Sequence, residues 1–320
     1  MTMKVDFIVA INGITITDNL SDAFIINPKL ENSDVLEIKL TNDKAKVKSM
    51  LTPKFKETVG LLEYDALTSA DLVAYSSHEI DDKKTSPMEF LSFQLGLLRL
   101  FSISLWLIKD NCLDFDLGFI AYSKENMEFI SSNYLSGITF DSKGERNLTK
   151  YSKLELIKAN NTFKSNIEVT NNSNPLSYFQ SSSNRLTISV YYLQYLRQIK
   201  DLGLKISTYI NVLESLFSTD NKELSHKLAE RVAFIIGETP DRRIEIYSKI
   251  KKAYGIRSKI FHGSGINSKD IKEVHEISVF CDTLLRELFN KMFNDKQFMN
   301  IFGMKVSDLD KYFNELVIKR

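Results

Sequence analysis

The spacing of apolar residues changes partway along the chain, and the change divides it in two. Before about residue 183, short runs alternate. In residues 4–11, Val5, Phe7, Val9 and Ile11 fall on one side, the two-residue period of a half-buried strand. Asn12-Gly13 then offers a tight turn, and residues 14–17 return, which predicts a β-hairpin. Residues 34–40 alternate through Leu36, Ile38 and Leu40, and Leu113, Phe115, Leu117 and Phe119 alternate with Asp114, Asp116 and Gly118. Residues 127–131 and 138–140 are further strand candidates, the latter running into a turn at Asp141-Ser142-Lys143-Gly144.

One long apolar segment, residues 90–108, interrupts these strands. Ser86 can cap it, Pro87 suits a first helical position, and Glu89 completes a capping box. Gln94, Arg99, Ser92, Ser102 and Ser104 punctuate it. A central arginine is costly in lipid, so the expectation is a buried core helix and no membrane span.

Residues 170–184 are polar and rich in Asn and Ser, with Pro175, and mark the expected domain boundary. Beyond it the apolar period lengthens to three and four. Ile206, Tyr209, Ile210, Leu213, Leu216 and Phe217 form one stripe; Leu224, Leu228, Val232, Ile235 and Ile236 form another. Ile246, Tyr247, Ile250, Ala253 and Tyr254 follow Pro240. Then come Ile271, Val274, Ile277, Cys281, Leu284, Leu288 and Met292, and last Leu309, Phe313, Leu316 and Val317 behind a cap at Ser307. These stripes predict a bundle of four or five helices. The expected organisation is an α+β N-terminal domain, residues 1–183, followed by an all-α domain, residues 184–320.

Two charges fall on apolar faces. Glu214 lies between Ile210 and Phe217, and Arg231 between Leu228 and Ile235. Charged residues are rarely fully buried unless paired, so the two are expected to bind each other; at a stripe edge they would instead reach water.

Composition narrows the chemistry only a little. A net charge of +1 leaves no global field for nucleic acid or membrane. Locally the balance differs: residues 241–262 carry Arg242, Arg243, Lys249, Lys251, Lys252, Arg257 and Lys259 against Asp241 and Glu245. Such a run is either a solvated helix face or a phosphate-attracting surface. Cys112 and Cys281 stand in separate apolar runs, as buried reduced thiols would, and the N-terminus lacks a signal-peptide pattern, so a cytoplasmic location is expected. His78, His226 and His275 are isolated, with no HxxxH or HExxH spacing, and no phosphate-binding glycine loop occurs. No metal site or cofactor is expected.

Arg257 and His262 lie five positions apart where the third stripe meets Gly263 and Gly265. Arginine presents a planar fork of donors to phosphate, and histidine exchanges protons near neutral pH. Together they make a minimal kit for cutting RNA without a metal.

Three segments in order, Asn211-Val212-Leu213-Glu214-Ser215-Leu216-Phe217, Leu228-Ala229-Glu230-Arg231-Val232-Ala233 and Tyr254-Gly255-Ile256-Arg257-Ser258-Lys259-Ile260-Phe261-His262-Gly263, resemble the HEPN superfamily, and within it the ApeA-like group of prokaryotic anti-phage systems. The resemblance covers roughly residues 188–295. It implies a metal-independent endoribonuclease in which Arg257 and His262 are catalytic and Ser258, Glu214 and Arg231 support them. Lys249, Lys251, Lys252 and Lys259 would attract the RNA. The resemblance also implies a homodimer with a composite site, and leaves room for a regulatory or defence-system partner. Family members that have lost activity act as interaction modules, so a non-catalytic module is the alternative. The N-terminal half, which has no catalytic constellation, is expected to sense or regulate.

Overall fold

A computed structural model describes residues 2–26, 37–115, 117–125, 127–132, 138–170 and 184–319 of the chain. The chain folds into two units: Met1–Thr139 with Arg146–Ile167, and Phe140–Glu145 with Glu168–Arg320. The first is a sheet with helices, the second is helical, and together they make a mixed α+β chain.

The first unit is built on β1 (Thr2–Ile11). It is joined by β2 (Ile14–Ile16), β3 (Phe24–Ile26), β4 (Ile38–Thr41), α1 (Lys44–Met50), α2 (Pro53–Val59), α3 (Leu61–Ser69), β5 (Leu72–Asp81), α4 (Pro87–Ile108), β6 (Gly118–Lys124), β7 (Met127–Ser132), β8 (Thr149–Tyr151) and α5 (Lys153–Thr170). Six strands form an antiparallel sheet in the order β3-β4-β5-β1-β6-β7. The alternation of β1 places Val5, Phe7, Val9 and Ile11 in one core with Leu91, Leu95, Leu98 and Phe101 of α4. The opposite face is also covered: Ile8, Val73 and Phe119 pack with Val47, Phe55 and Leu67 of α1, α2 and α3. Each large apolar side chain so buried contributes roughly 1.5–3 kcal/mol.

α4 begins as its sequence predicts. Ser86 Oγ accepts from the Glu89 amide, and the Glu89 carboxylate accepts from the Ser86 amide at 2.8 Å. It is long and apolar enough to cross a membrane, but most of it is buried in this unit.

The predicted hairpin does not form. β5 takes one edge of β1 along its whole length, β6 takes Val5–Val9 on the other, and Asn12 bridges Asp114, so the chain after Gly13 does not fold back along β1. β2 runs parallel to β8 instead. Asn12-Gly13 makes a corner: Gly13 has φ +79°, and the Cys112 carbonyl lies where a Cβ would sit. Two other strand expectations shift. Asp114 makes only an isolated bridge to Asn12, and the strand begins at Gly118, not Leu113. Residues 138–140 are not a strand. Residues 34–36, Asp116 and the polar segment 171–183 lie outside the described residues.

The second unit contains α6 (Arg185–Gln198), α7 (Leu202–Phe217), α8 (Leu224–Ile236), α9 (Pro240–Phe261), a 3₁₀ turn (Ser268–Asp270), α10 (Ile271–Asn294), α11 (Lys296–Ile301) and α12 (Val306–Ile318). The described residues of this unit thus hold seven α-helices where the stripes predict four or five; α6 and α11 are the additions. α7 is central and lies against α6, α8, α9 and α10. Its stripe residues Ile206, Tyr209, Ile210, Leu213, Leu216 and Phe217 are buried.

Residues 140–145 belong to this unit although they lie far upstream in the chain. The predicted turn is there, with the Gly144 amide on the Asp141 carbonyl. Lys205, only 1% exposed, donates to the carbonyls of Phe140, Leu196 and Ile199. Ser278 Oγ donates to the Ser142 carbonyl.

Candidate active site

α9 carries the Arg257–His262 pair, and its ends are sharply defined. Thr239 Oγ1 accepts from the Arg242 amide ahead of Pro240, which opens the helix. At the other end the Gly263 amide bonds the Ile260 carbonyl and the Ser264 amide bonds the Lys259 carbonyl, with Gly263 at φ +72°. This pair of bonds is the Schellman arrangement, which favours glycine at the left-handed position. His262 is therefore the last, half-helical residue, and the two-glycine stop fixes where its side chain leaves the helix.

Ile246, Ile250 and Ala253 are the buried residues of α9. Arg257 continues their spacing of four, three and four, so its guanidinium is directed inward to α7. There Nη2 meets Glu214 Oε2 at 3.1 Å and Nε donates to Asn211 Oδ1 at 3.2 Å. The rings of Tyr254 and Phe261, one turn to either side, lie 5.4 and 5.3 Å from the guanidinium carbon. Two carboxyl and amide acceptors and two ring contacts thus hold one arginine; each ring contact adds roughly 0.5–1 kcal/mol where partly exposed.

Glu214 is itself largely buried. Burial pushes its carboxyl above the usual range, against the opposing influence of the Arg257 charge and the Tyr254 hydroxyl. Its Oε1 is enclosed and has no hydrogen-bond partner among the described residues.

His262 is exposed, and its ring makes no hydrogen bond or ion pair among the described residues. Five positions on a helix amount to about 140° of rotation and roughly 7.5 Å of rise. The arginine therefore points into the bundle while the histidine points out of it. Ser258 is half-buried, and Lys251 and Lys259 are exposed.

The basic run is more neutral than its sequence implies. Lys249 pairs with Glu245 at 3.1 Å and Lys252 with Glu273 at 2.6 Å, while Arg242 meets both Glu245 and Glu287. Glu273 and Glu287 come from α10, which a single-helix charge count omits. Lys251 and Lys259 have no acidic partner among the described residues.

Glu214 and Arg231 are not partners. Arg231, 4% exposed, donates from Nη1 to the Phe217 carbonyl and to Thr219 Oγ1, and from Nη2 to Asp310 Oδ1 at 2.7 Å. Its guanidinium carbon lies 4.9 Å from the Phe313 ring centre. The apolar stripes predict core-facing positions for both charges, and both are there. They face different neighbours because α9 and α12 each bring a counter-charge that the α7 and α8 stripes do not contain. Arg231 closes the C-terminal end of α7 and is not beside Arg257.

Arg257 lines an open groove of about 660 Å³ between three helices. α6 contributes Arg185 and Tyr192, α7 contributes Asn211 and Glu214, and α9 contributes Arg257 and Phe261. Sequence reasoning does not single out Arg185, Tyr192 or Asn211. The usable signal is the cap at Asn184, whose Oδ1 accepts from the Thr187 amide at 2.7 Å, since it starts a helix with an arginine in its first turn. The other histidines are placed apart: His226 Nδ1 bonds the Tyr247 hydroxyl and His78 Nε2 the Glu37 carbonyl. No group of three His, Cys, Asp or Glu side chains suited to a metal occurs among the described residues.

Comparisons of the chain with protein-family models, with characterised proteins and with solved structures find no match.

Proposed function

We propose that the helical unit is a HEPN-type endoribonuclease that works without a metal, and that the chain is an RNA-cleaving effector of prokaryotic anti-phage or toxin-type defence. The observation that carries this reading is Arg257, a guanidinium held by two partners in an open groove, five residues before an exposed histidine at the end of the same helix. The resemblance of the three sequence segments to the superfamily supplies the reaction.

In that reaction the 2′-oxygen of RNA attacks the adjacent phosphorus while its proton passes to a base. The bond from phosphorus to the 5′-oxygen breaks as that oxygen takes a proton, leaving a 2′,3′-cyclic phosphate and a 5′-hydroxyl. His262 serves as base or acid, typically worth ~10²–10⁴-fold. Arg257 offsets the charge that builds on the phosphorane, where losing one donor costs ~10²–10³-fold in comparable sites. Two of its donors are occupied by Asn211 and Glu214, which orient the fork and leave Nη1 for phosphate. A second copy in a homodimer completes the site, as the resemblance implies. We propose a sensing or regulatory role for residues 1–183.

The ion pair to Glu214 favours a second reading. A guanidinium already neutralised by a carboxylate is also what a non-catalytic interaction module would contain. The deciding experiment incubates purified protein with total RNA in EDTA and maps the new ends. Cleavage leaving cyclic phosphates, abolished by Arg257→Ala and by His262→Ala with the circular-dichroism spectrum unchanged, is the expected result. Full activity in both variants, or activity lost in EDTA and restored by Mg²⁺ or Mn²⁺, would overturn it.

A further inference from the structure

Arg185, like Arg243, meets backbone carbonyls and, among the described residues, no carboxylate, and of the two it is Arg185 that lines the groove beside Arg257. Arg231, Arg242, Arg257 and Arg286 each pair with a carboxylate. Arg185 has no carboxylate partner among the described residues. Its Nη1 donates to the carbonyls of Ser215 and Ser218 at the end of α7, an arrangement that suits a cation at a helix C-terminus. Those two bonds occupy one nitrogen only. Nε and Nη2 have no partner among the described residues, and the half-buried charge is uncompensated. Burial, and then the nearby Arg231 charge, hold its pKa below the ordinary arginine value.

Its setting supplies the rest. The groove that Arg185 lines contains a second guanidinium, Arg257, and one carboxylate, Glu214, whose charge Arg257 already meets. The lining therefore carries a positive excess. Tyr192 sits on the same face of α6 as Arg185, and the Phe261 ring, 63% exposed, closes the other wall. Tyr195, 61% exposed, continues the α6 face beyond the lining. A cationic channel flanked by aromatic rings is the pattern that binds single-stranded nucleic acid, phosphates on the cations and bases on the rings. A volume of about 660 Å³ falls in the ~300–1,000 Å³ range of clefts that hold small ligands.

We infer that this groove seats single-stranded RNA, with Arg185 gripping a phosphate neighbouring the one at Arg257 and Tyr192 stacking on a base. The inference rests on the ribonuclease reading and names the residues that would present the strand to it. Arg185 is a binding residue here, not a catalytic one.

The test uses the full chain and a short fluorescent single-stranded oligonucleotide carrying 2′-O-methyl groups, which lacks the attacking hydroxyl and stays intact. Binding is read by anisotropy over a range of salt. Arg185→Gln should weaken binding roughly 10-fold or more and lower the log K against log salt slope by about one. Tyr192→Leu should weaken it roughly 10-fold with the slope kept, as loss of one stacking platform does. Arg185→Lys should keep the slope while recovering only part of the affinity, because lysine is a point charge without the fork. If Arg185→Gln fails to fold, Arg185→Lys and Tyr192→Leu decide the matter. Parental binding by folded Arg185 and Tyr192 variants overturns the inference. So does a change confined to sedimentation, which would make the groove an interface between copies. Undiminished cleavage of unmodified RNA by both the Arg257→Ala and the His262→Ala variants would defeat the ribonuclease reading alone, since the oligonucleotide measurement does not involve chemistry.

Discussion

Deleting Asp310 should cost more than deleting the arginine it binds, because the two members of this pair are buried to very different degrees. The Arg231 side chain is 4% exposed and that of Asp310 is 37% exposed. Asp310→Ala leaves a guanidinium inside the bundle with only the Phe217 carbonyl and Thr219 Oγ1 to satisfy it. Stranding a buried charge typically costs ~3–5 kcal/mol. Arg231→Met fills much the same space with apolar atoms. It leaves one carbonyl unbonded, worth ~1–3 kcal/mol, while the carboxylate of Asp310 rehydrates. The decisive comparison is the double variant. Adding Arg231→Met to Asp310→Ala removes the stranded charge and should restore stability, so the coupling energy is large and favourable. Urea unfolding followed by far-ultraviolet circular dichroism reports mainly the helical unit. Fluorescence of Trp106, the single tryptophan, buried in α4, reports the sheet unit and separates the two transitions if they do not coincide. A double variant destabilised by the sum of the singles would refute this account. Glu214→Ala combined with Arg231→Met should be additive, since their partners are distinct.

Two further outcomes follow from the site. Burial raises the folded-state pKa of Glu214 above its ordinary 4.5, so its favourable contribution is complete below 4.5 and fades as the pH rises through the raised value. The stability of Glu214→Gln relative to the parent should therefore increase from acid to neutral pH, measured as urea midpoints at several pH values; a difference that stays flat would show that the carboxyl is not perturbed. Gly263→Ala should cost ~1–2 kcal/mol of stability, from forcing a Cβ residue to φ +72° with no steric contact to blame. It should also lower cleavage by displacing His262, and an unchanged melting temperature with unchanged cleavage would contradict both effects.

What the sequence disclosed and what it hid follow the range of the interactions. The capping box at Ser86 and the stripe of α7 involve residues within a few positions of one another, and both are present as read. The hairpin at Asn12-Gly13 fails because pairing is competitive: β5 and β6 occupy β1, and no local signal announces strands from 60 or 110 residues away. The same limit governs the site. The periodicity of α7, α8 and α9 places Glu214, Arg231 and Arg257 on inward faces. Which carboxylate meets which guanidinium depends on α9 and α12 docking, and Asp310 has no distinguishing local context. α6 is hard to read because its residues form no strong apolar stripe, although it supplies a wall of the groove.

The geometry of α9 leads to a last prediction, about how two copies would share the work. Arg257 is directed into the bundle and His262 out of it, about 140° apart around the helix. The pair on one helix is poorly placed to close on one phosphate, whereas an exposed histidine at a helix end can reach a groove on a second copy. In a two-fold dimer the same surface meets itself, so each histidine that crosses brings its counterpart across. Each active site would then take its arginine from one chain and its histidine from the other. Mixing the inactive Arg257→Ala and His262→Ala proteins, after mild dissociation and reassociation, should restore cleavage. Random pairing makes half of the dimers mixed, and each mixed dimer has one intact site of two, so recovery should approach roughly a quarter of the parental rate. Each variant carried alone through the same dissociation must stay inactive. A mixture that forms mixed dimers, shown by a mass-tagged copy, yet cuts no RNA would place both residues of a site on one chain. The crossed arrangement would then be wrong even if both residues are catalytic.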